Sequence, residues 1–164
     1  RSLHLERGKG DAWRTSLING LVPSESAITH LAAEFAQNPR LAWACPSEWV
    51  AGNESWGRNK QTVKQLLRGL NLKRPRTLVF PAGSMFWMGR ELRKSLLNLE
   101  LSRLDFADVP ALDGSFEHGL ERFIGSWSLA SQMIMYRTEH LPITRRRTEY
   151  PENLRRDHLD SRES

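Results

Sequence analysis

The sequence has 164 residues, of which 39% are hydrophobic and 26% are charged, and these values are typical of one soluble globular domain. Its net charge of +5 and its pI near 9.9 indicate an anionic partner, without choosing among nucleic acid, membrane phosphate and a sugar nucleotide. Cys45 is the only cysteine, which excludes an internal disulfide and a cysteine-based zinc site and fits a reducing compartment. No apolar run approaches the about 18 residues that span a bilayer, and the sequence begins without Met or a signal peptide.

Apolar periodicity predicts five amphipathic helices along the chain. They cover residues 10–22, 24–39, 59–70, 90–99 and 114–125. Asp11 is the expected N-cap of the first helix, because its side chain can accept a hydrogen bond from the first turn. Short apolar runs bounded by turn residues predict four strands. They cover residues 40–45, 77–80, 84–88 and 131–137. Helices that alternate with short buried strands favour an α/β or α+β layered fold.

Two segments lack this periodicity. Residues 46–59 are rich in turn residues and are expected to form a loop. From residue 137 onward the chain is dense in charges of both signs, which indicates a poorly ordered tail or a helical extension that needs a partner. The sequence therefore predicts a domain over residues 1–136 and a charged tail over residues 137–164.

The fifth predicted helix carries the side chains best suited to chemistry. His118 and Glu121 lie three residues apart on its polar face, and Asp113 stands at its N-terminal end. A carboxylate here can serve as a general base, and carboxylate and imidazole groups can together hold a divalent metal. The alternative is structural, with Asp113 as the N-cap of this helix and Glu121 on a solvated face.

The segment FPAGSMFWM raises a similar choice at residues 80–88. Both alternating faces of SMFWM are apolar, which predicts a strand covered on both sides. Gly83 permits a positive φ or a close backbone approach. Core packing explains most of this pattern, although Trp87 at the end of a strand can also be a platform on which a sugar stacks.

Several motifs are missing from the sequence. It contains no G-x-G-x-x-G fingerprint, no P-loop, no H-E-x-x-H and no G-x-S-x-G. It also lacks an Asp-x-Asp pair, which metal-dependent sugar transfer commonly uses to hold the cation on the diphosphate.

Taken together, several other motifs resemble the rhamnan synthesis F family of bacterial glycosyltransferase-like domains in polysaccharide and O-antigen assembly. The most specific are PAGSMFW at residues 81–87 and D-G-x-x-x-H-x-x-E-R at residues 113–122. Three further segments precede them in the family's order. They are GDAWRTSLINGLV, NPRLAWACP and WGRNKQTVKQLLRGL. The resemblance covers roughly residues 3–136.

The resemblance implies a partial GT-A-like domain with helices packed on a short mixed sheet. It implies the acceptor-side, C-terminal half of a glycosyltransferase, because the half that would hold the nucleotide and the metal-binding acids has no counterpart in this sequence. The expected substrates are a nucleotide-sugar and a glycan or lipid-linked glycan acceptor, with manganese or magnesium as the cofactor. The expected location is the cytoplasm, either free or in peripheral contact with the inner face of the cell membrane.

The resemblance also implies roles for individual residues. Asp113 is the first candidate for the general base and Glu121 the second, in an inverting attack of an acceptor hydroxyl on the anomeric carbon. His118 is expected to contact the diphosphate or a metal. The residues expected to shape the sugar pocket are Gly83, Ser84, Phe86 and Trp87.

His4 is a further candidate contact to substrate, but the residues after it differ from the family pattern. A Thr-Lys-Lys-type run usually follows this histidine, whereas Leu5-Glu6-Arg7 follows it here. This difference favours a second interpretation, in which the chain is a non-catalytic binding or scaffold relative with the same fold. A third interpretation, a nucleic-acid binder, depends on net charge alone.

Overall fold

The computed structural model of the chain describes residues 9–99, 101, 106 and 113–140. The predictions for His4, for Leu5-Glu6-Arg7 and for the tail beyond residue 140 lie outside the described residues. The described helices and strands are interspersed along the chain. They are α1 (Lys9–Leu21), α2 (Glu25–Gln37), β1 (Leu41–Cys45), β2 (Val50–Ala51), α3 (Lys60–Gly69), β3 (Phe80–Pro81), β4 (Trp87–Met88), α4 (Arg90–Leu97), α5 (Phe116–Ala130) and β5 (Ile134–Arg137). The predicted mixed α/β class is confirmed.

The central strand of the main sheet is β1, whose five residues are all buried. It pairs antiparallel with β4 on one side and parallel with β5 on the other. The apolar sequence LAWAC suits this position, because a strand covered on both faces needs no polar alternation. A second, smaller sheet joins β2 and β3 in antiparallel pairing.

The helix α5 lies against both α3 and β3, and two of its glycines allow the close approach. A Cβ at Gly119 would collide with the side chain of Thr62, and a Cβ at Gly125 would collide with the carbonyl oxygen of Val79. The core between these elements includes the fully buried side chains of Leu67 and Phe123. None of the helices among the described residues is long and apolar enough to cross a membrane.

Three local predictions differ from the structure. Helix α1 begins at Lys9, so Asp11 lies in its first turn and is not the N-cap. Helix α5 runs to Ala130, five residues past the predicted end, because Gly125 is a packing contact and does not terminate the helix. The loop predicted at residues 46–59 contains the short strand β2, which pairs with β3.

The segment at residues 84–88 is less strand-like than its sequence indicates. Only Trp87 and Met88 belong to β4, and Met88 is 42% exposed. The prediction that both faces of this strand are covered was therefore wrong, because the face that carries Met88 is open to solvent. Before it, Gly83 and Ser84 have φ values of 86° and 56°, so the chain turns here and is not extended.

The start of the predicted tail is attached to the domain. Residues 138–140 form a 3-10 turn. The carboxylate of Glu139 accepts hydrogen bonds from the backbone N–H and the hydroxyl of Ser47, at 2.9 and 2.8 Å. The described part of the chain therefore extends a few residues beyond the predicted boundary at 136.

Candidate functional site

The two most specific motifs meet at one hydrogen bond. The backbone N–H of Gly83, in PAGSMFW, donates to Oε1 of Glu121, in the D-G-x-x-x-H-x-x-E-R motif, at 2.6 Å. The other carboxylate oxygen of Glu121 accepts from Nη1 of Arg122 at 2.7 Å. The side chain of Glu121 is only 13% exposed, so it is not on a solvated helix face. Glu121 therefore attaches the Gly83–Ser84 turn to α5.

Arg122 extends this contact to a third segment. Its Nε donates to the carbonyl oxygen of Ser55 at 2.9 Å, and its Nη1 donates to the carbonyl oxygen of His118 at 3.1 Å. The guanidinium also lies over the ring of Phe80, 4.9 Å from the ring centroid. A planar guanidinium with several fixed donors suits such cross-linking better than an ammonium group. The Glu121–Arg122 pair thus joins α5, the Gly83–Ser84 turn and the segment at residues 53–55.

The carboxylate of Asp113, which precedes α5 in the sequence, lies beside the N-terminus of α3. Its Oδ2 accepts from the backbone N–H of Arg58 at 2.9 Å, and its Oδ1 accepts from Nδ2 of Asn59 at 2.7 Å. The Arg58 hydrogen bond is the main cause of a lowered pKa of Asp113, and the Asn59 side chain, the Gly114 backbone and the charge of Arg122 also lower the pKa. A carboxylate with a lowered pKa is ionised at neutral pH but is a weak base.

His118 has a partner at the N-terminus of its own helix. Its Nδ1 lies 2.8 Å from the hydroxyl of Ser115, and Ser115 is the N-cap residue of α5. The alternative prediction, that Asp113 is the N-cap of α5, was therefore wrong. Ser115 takes that position, and Asp113 instead accepts hydrogen bonds near the N-terminus of α3.

These side chains do not by themselves fit a metal ion. The described residues include no group of three or more His, Cys, Asp or Glu side chains arranged to hold one. The carboxylates of Asp113 and Glu121 are directed to different partners, Arg58 and Gly83. The described side chains alone therefore do not form a metal site, and the assignment of His118 as a metal ligand stays a prediction.

Two of the aromatic residues predicted for the sugar pocket have partners inside the protein. The indole N–H of Trp87 donates to the carbonyl oxygen of Leu21 at 3.0 Å, and its ring stacks on Phe35 with centroids 6.5 Å apart. Phe86 is half-buried and packs against the hydrophobic core. The contacts of Trp87 therefore connect β4 to α1 and α2.

Other tryptophans flank the Gly83–Ser84 turn and were missed from sequence. A Cβ at Gly83 would collide with the ring of Trp13, so this ring rests on the turn. Trp13 also packs edge-to-face against Trp49, with centroids 5.7 Å apart. The backbone N–H of Ala82 donates to the carbonyl oxygen of Trp49 at 2.8 Å. The helical spacing of Trp13 indicated only a core-facing residue, so the sequence held no signal for this contact.

Ser84 is the unusual residue of this turn. It is exposed and has a φ of 56°, a left-handed conformation that non-glycine residues adopt uncommonly. Such conformations persist where surrounding contacts impose them, and they concentrate at binding sites. Here the Glu121 hydrogen bond to Gly83 and the Trp13 ring fix the preceding residue. The turn of residues 82–84, with Trp13, Trp49, Glu121 and Arg122, forms the candidate site, which we call the Gly83 site.

Comparison with known proteins gives one family and two relatives. A family model described as rhamnan synthesis protein F matches residues 1–133. The uncharacterized protein WxcX of Xanthomonas campestris pv. campestris is 28% identical over 122 residues, which is 73% of this chain and 17% of WxcX. WxcX from a second strain gives the same values. The chain thus spans about a sixth of the length of these relatives. No solved structure matches the chain.

Proposed function

Since the chain belongs to the rhamnan synthesis protein F family, we propose that it is the acceptor-side part of a glycosyltransferase that builds a bacterial cell-surface polysaccharide. The observation that carries the proposal is the hydrogen bond between Gly83 and Glu121. It joins the two most specific family-like motifs, 38 residues apart in sequence, into one site. A shared site is a simple reason for both motifs to occur in one chain.

In the proposed reaction a nucleotide-sugar is the donor and a glycan or lipid-linked glycan is the acceptor. An acceptor hydroxyl oxygen forms a bond to the anomeric carbon of the donor sugar. The bond from that carbon to the diphosphate breaks, and the nucleoside diphosphate leaves with the electron pair. The hydroxyl proton passes to a general base, and the assignment of Asp113 to this role stays a prediction.

The Gly83 site is proposed to bind the acceptor. The exposed hydroxyl of Ser84 can donate to and accept from a sugar hydroxyl. The half-buried ring of Trp13 offers an apolar surface beside it, and sites for small ligands combine such surfaces with a few placed polar groups. Glu121 and Arg122 do not contact the sugar in this proposal. They hold the turn in the conformation that presents Ser84.

The test is binding of rhamnose-containing oligosaccharides to the 164-residue chain, measured by ligand-observed NMR. The Glu121→Gln variant keeps an acceptor oxygen but weakens the hydrogen bond to Gly83, so we expect acceptor affinity to fall about tenfold. The matched control is Glu139→Gln, which makes the same exchange at a carboxylate bonded to the Ser47 N–H. An equal loss in both variants, or unchanged affinity in Glu121→Gln, would contradict the assignment of this site.

A non-catalytic binding relative is the second candidate, and one observation favours it. Both carboxylates predicted as the base already accept hydrogen bonds from backbone N–H groups. The discriminating experiment measures sugar transfer by a longer protein that contains this chain, with a panel of uridine and deoxythymidine diphospho-sugars. In an enzyme, Asp113→Asn would abolish transfer while sparing acceptor binding. If the chain is a non-catalytic scaffold, transfer by another part of the longer protein would survive Asp113→Asn.

A further inference from the structure

One long segment of the chain carries charges of a single sign. Residues 55–90 contain eight Lys and Arg residues and no Asp or Glu. The segment includes all ten residues of α3, Lys60–Gly69. The segment itself therefore contributes only positive side-chain charges to the surface of the protein.

The fold places three of these cations in a row on one face of α3. Val63 and Leu67 are fully buried and so fix which side of the helix faces the core. Lys60, Lys64 and Arg68 are all exposed and follow one another at intervals of four residues. This interval is about one helical turn, or roughly 6 Å along the helix axis. We call these three residues the α3 basic row.

The charges of the α3 basic row are not neutralised within the described part of the chain. The side chains of Lys60, Lys64 and Arg68 make no hydrogen bond or ion pair with a described residue. Some of the other cations in the described part of the chain have partners. Arg122 pairs with Glu121, and Arg74 lies over the ring of Trp56 at 5.0 Å.

From this geometry we propose that the α3 basic row docks the protein on an anionic lipid surface. A line of exposed cations on a convex helix matches a flat layer of negatively charged headgroups, which attracts juxtaposed Lys and Arg residues. The apolar face of α3 is already covered, because Thr62 contacts Gly119 of α5 and Leu67 lies in the core. The contact is therefore electrostatic and does not require insertion of the helix.

Lipid is favoured over single-stranded nucleic acid because the segment of the row has no exposed aromatic residue, and the preceding Trp56 is buried. Residues 57–76 contain no Phe, Tyr or Trp, whereas single-stranded nucleic acid is commonly bound through bases stacked on aromatic rings. The inference does not depend on the proposed transferase activity, since it uses only the exposure, spacing and charge of α3. It also places the start of α3, where Asp113 binds the Arg58 N–H, beside the lipid surface.

The test is co-sedimentation of the 164-residue chain with vesicles of phosphatidylcholine, either alone or with about 30% phosphatidylserine. Each cation near such a surface tightens binding about fivefold, so the variant Lys60→Gln/Lys64→Gln/Arg68→Gln is expected to bind roughly 100-fold more weakly. Gln has a helix propensity close to that of Lys and Arg, and circular dichroism would check that the variant is folded.

The matched control removes three exposed charges elsewhere, in the variant Arg14→Gln/Arg90→Gln/Arg93→Gln. We expect this control to lose less than about fivefold in affinity for the phosphatidylserine vesicles. Equal losses in both variants would overturn the proposal, because net charge alone would then explain binding. Binding that does not need phosphatidylserine would also overturn it, as would tighter binding to a single-stranded oligonucleotide than to the vesicles at the same salt concentration.

Discussion

At the scale of single residues, Asp113 and Glu121 share one property. Each carboxylate accepts a hydrogen bond from a backbone N–H in a distant segment of the chain. Asp113 binds the N–H of Arg58 and Glu121 binds the N–H of Gly83. A carboxylate is well suited to this task, because hydrogen bonds to a charged acceptor are stronger than those between neutral groups. The acidic residues of the motif therefore have a structural role that is independent of catalysis.

Replacing Asp113 with Ala removes its hydrogen bonds to Arg58 and Asn59 and should lower the free energy of unfolding by about 1 kcal/mol, as for a lost helix cap. The pKa of Asp113 is lowered in the folded state, so its stabilisation is complete above the ordinary aspartate pKa of about 3.9. This stabilisation is lost as the pH falls through the lowered pKa that Asp113 has in the folded state. Urea denaturation across this range should show a shallower acid loss in Asp113→Ala, and parallel curves for the two proteins would contradict the prediction.

Cys45 should resist alkylation in the folded protein. It is fully buried, and burial, together with the nearby Glu139 carboxylate, raises the pKa of its thiol to about 12. Only the thiolate reacts, so iodoacetamide at about pH 8 should label the protein no faster than it unfolds. Mass spectrometry would measure the labelling, with complete reaction in concentrated guanidinium chloride as the control. Rapid labelling without denaturant would show that β1 is more accessible than described.

At the scale of secondary-structure elements, the packing of α5 depends on glycines that helix propensity alone would disfavour. Gly125→Ala places a Cβ against the carbonyl oxygen of Val79, which is backbone and cannot move aside, so we expect a loss of about 3 kcal/mol. The control is Gly69→Ala at the end of α3, where a Cβ meets nothing within 4 Å. Thermal unfolding should show a large drop for the first variant and at most a small gain for the second. Similar effects would contradict the close contact.

The sequence predicted which segments form helices and strands better than it predicted where these elements end or which elements they pack against. The five described α-helices follow from apolar periodicity, because burial of one face shapes each of them. The extension of α5 past Gly125 could not be predicted, since the reason for that glycine lies in Val79, 46 positions earlier. The turn at Ser84 was equally hidden, because a Ser with a φ of 56° carries no signature in the sequence.

In the candidate site, too, the sequence did not reveal contacts between residues that are distant along the chain. The D-G-x-x-x-H-x-x-E-R motif identified Glu121 and His118 as residues of interest, but their partners are set by tertiary contacts. The role of Trp87 as a sugar platform stays a prediction, and the ring that lies on the turn is that of Trp13. Both tryptophans lie in apolar patterns, and periodicity alone does not tell which of them packs on Gly83.

At the scale of the whole molecule, β5 completes the sheet and lies beyond the family match. That match ends at residue 133, one residue before β5 begins. A chain ending at residue 133 would leave one edge of the buried strand β1 unpaired, and we expect it to lose its cooperative thermal transition. A chain ending at residue 140 keeps every described element and should retain the transition. Circular dichroism would compare them, and a melt of the shorter chain within a few degrees of the longer one would refute the requirement for β5.

The parallel pairing of β1 with β5 also matters while the protein is being made. Ser47, just after β1, binds Glu139, just after β5, and the two residues are 92 positions apart. At ordinary rates of translation, the nascent chain waits on the order of ten seconds between the emergence of these two strands. During that interval the most apolar strand of the domain has one edge without its partner, and such an edge can pair with another chain. The unpaired edge of β1 is therefore more exposed to other chains in the ribosome-bound intermediate than in the finished protein.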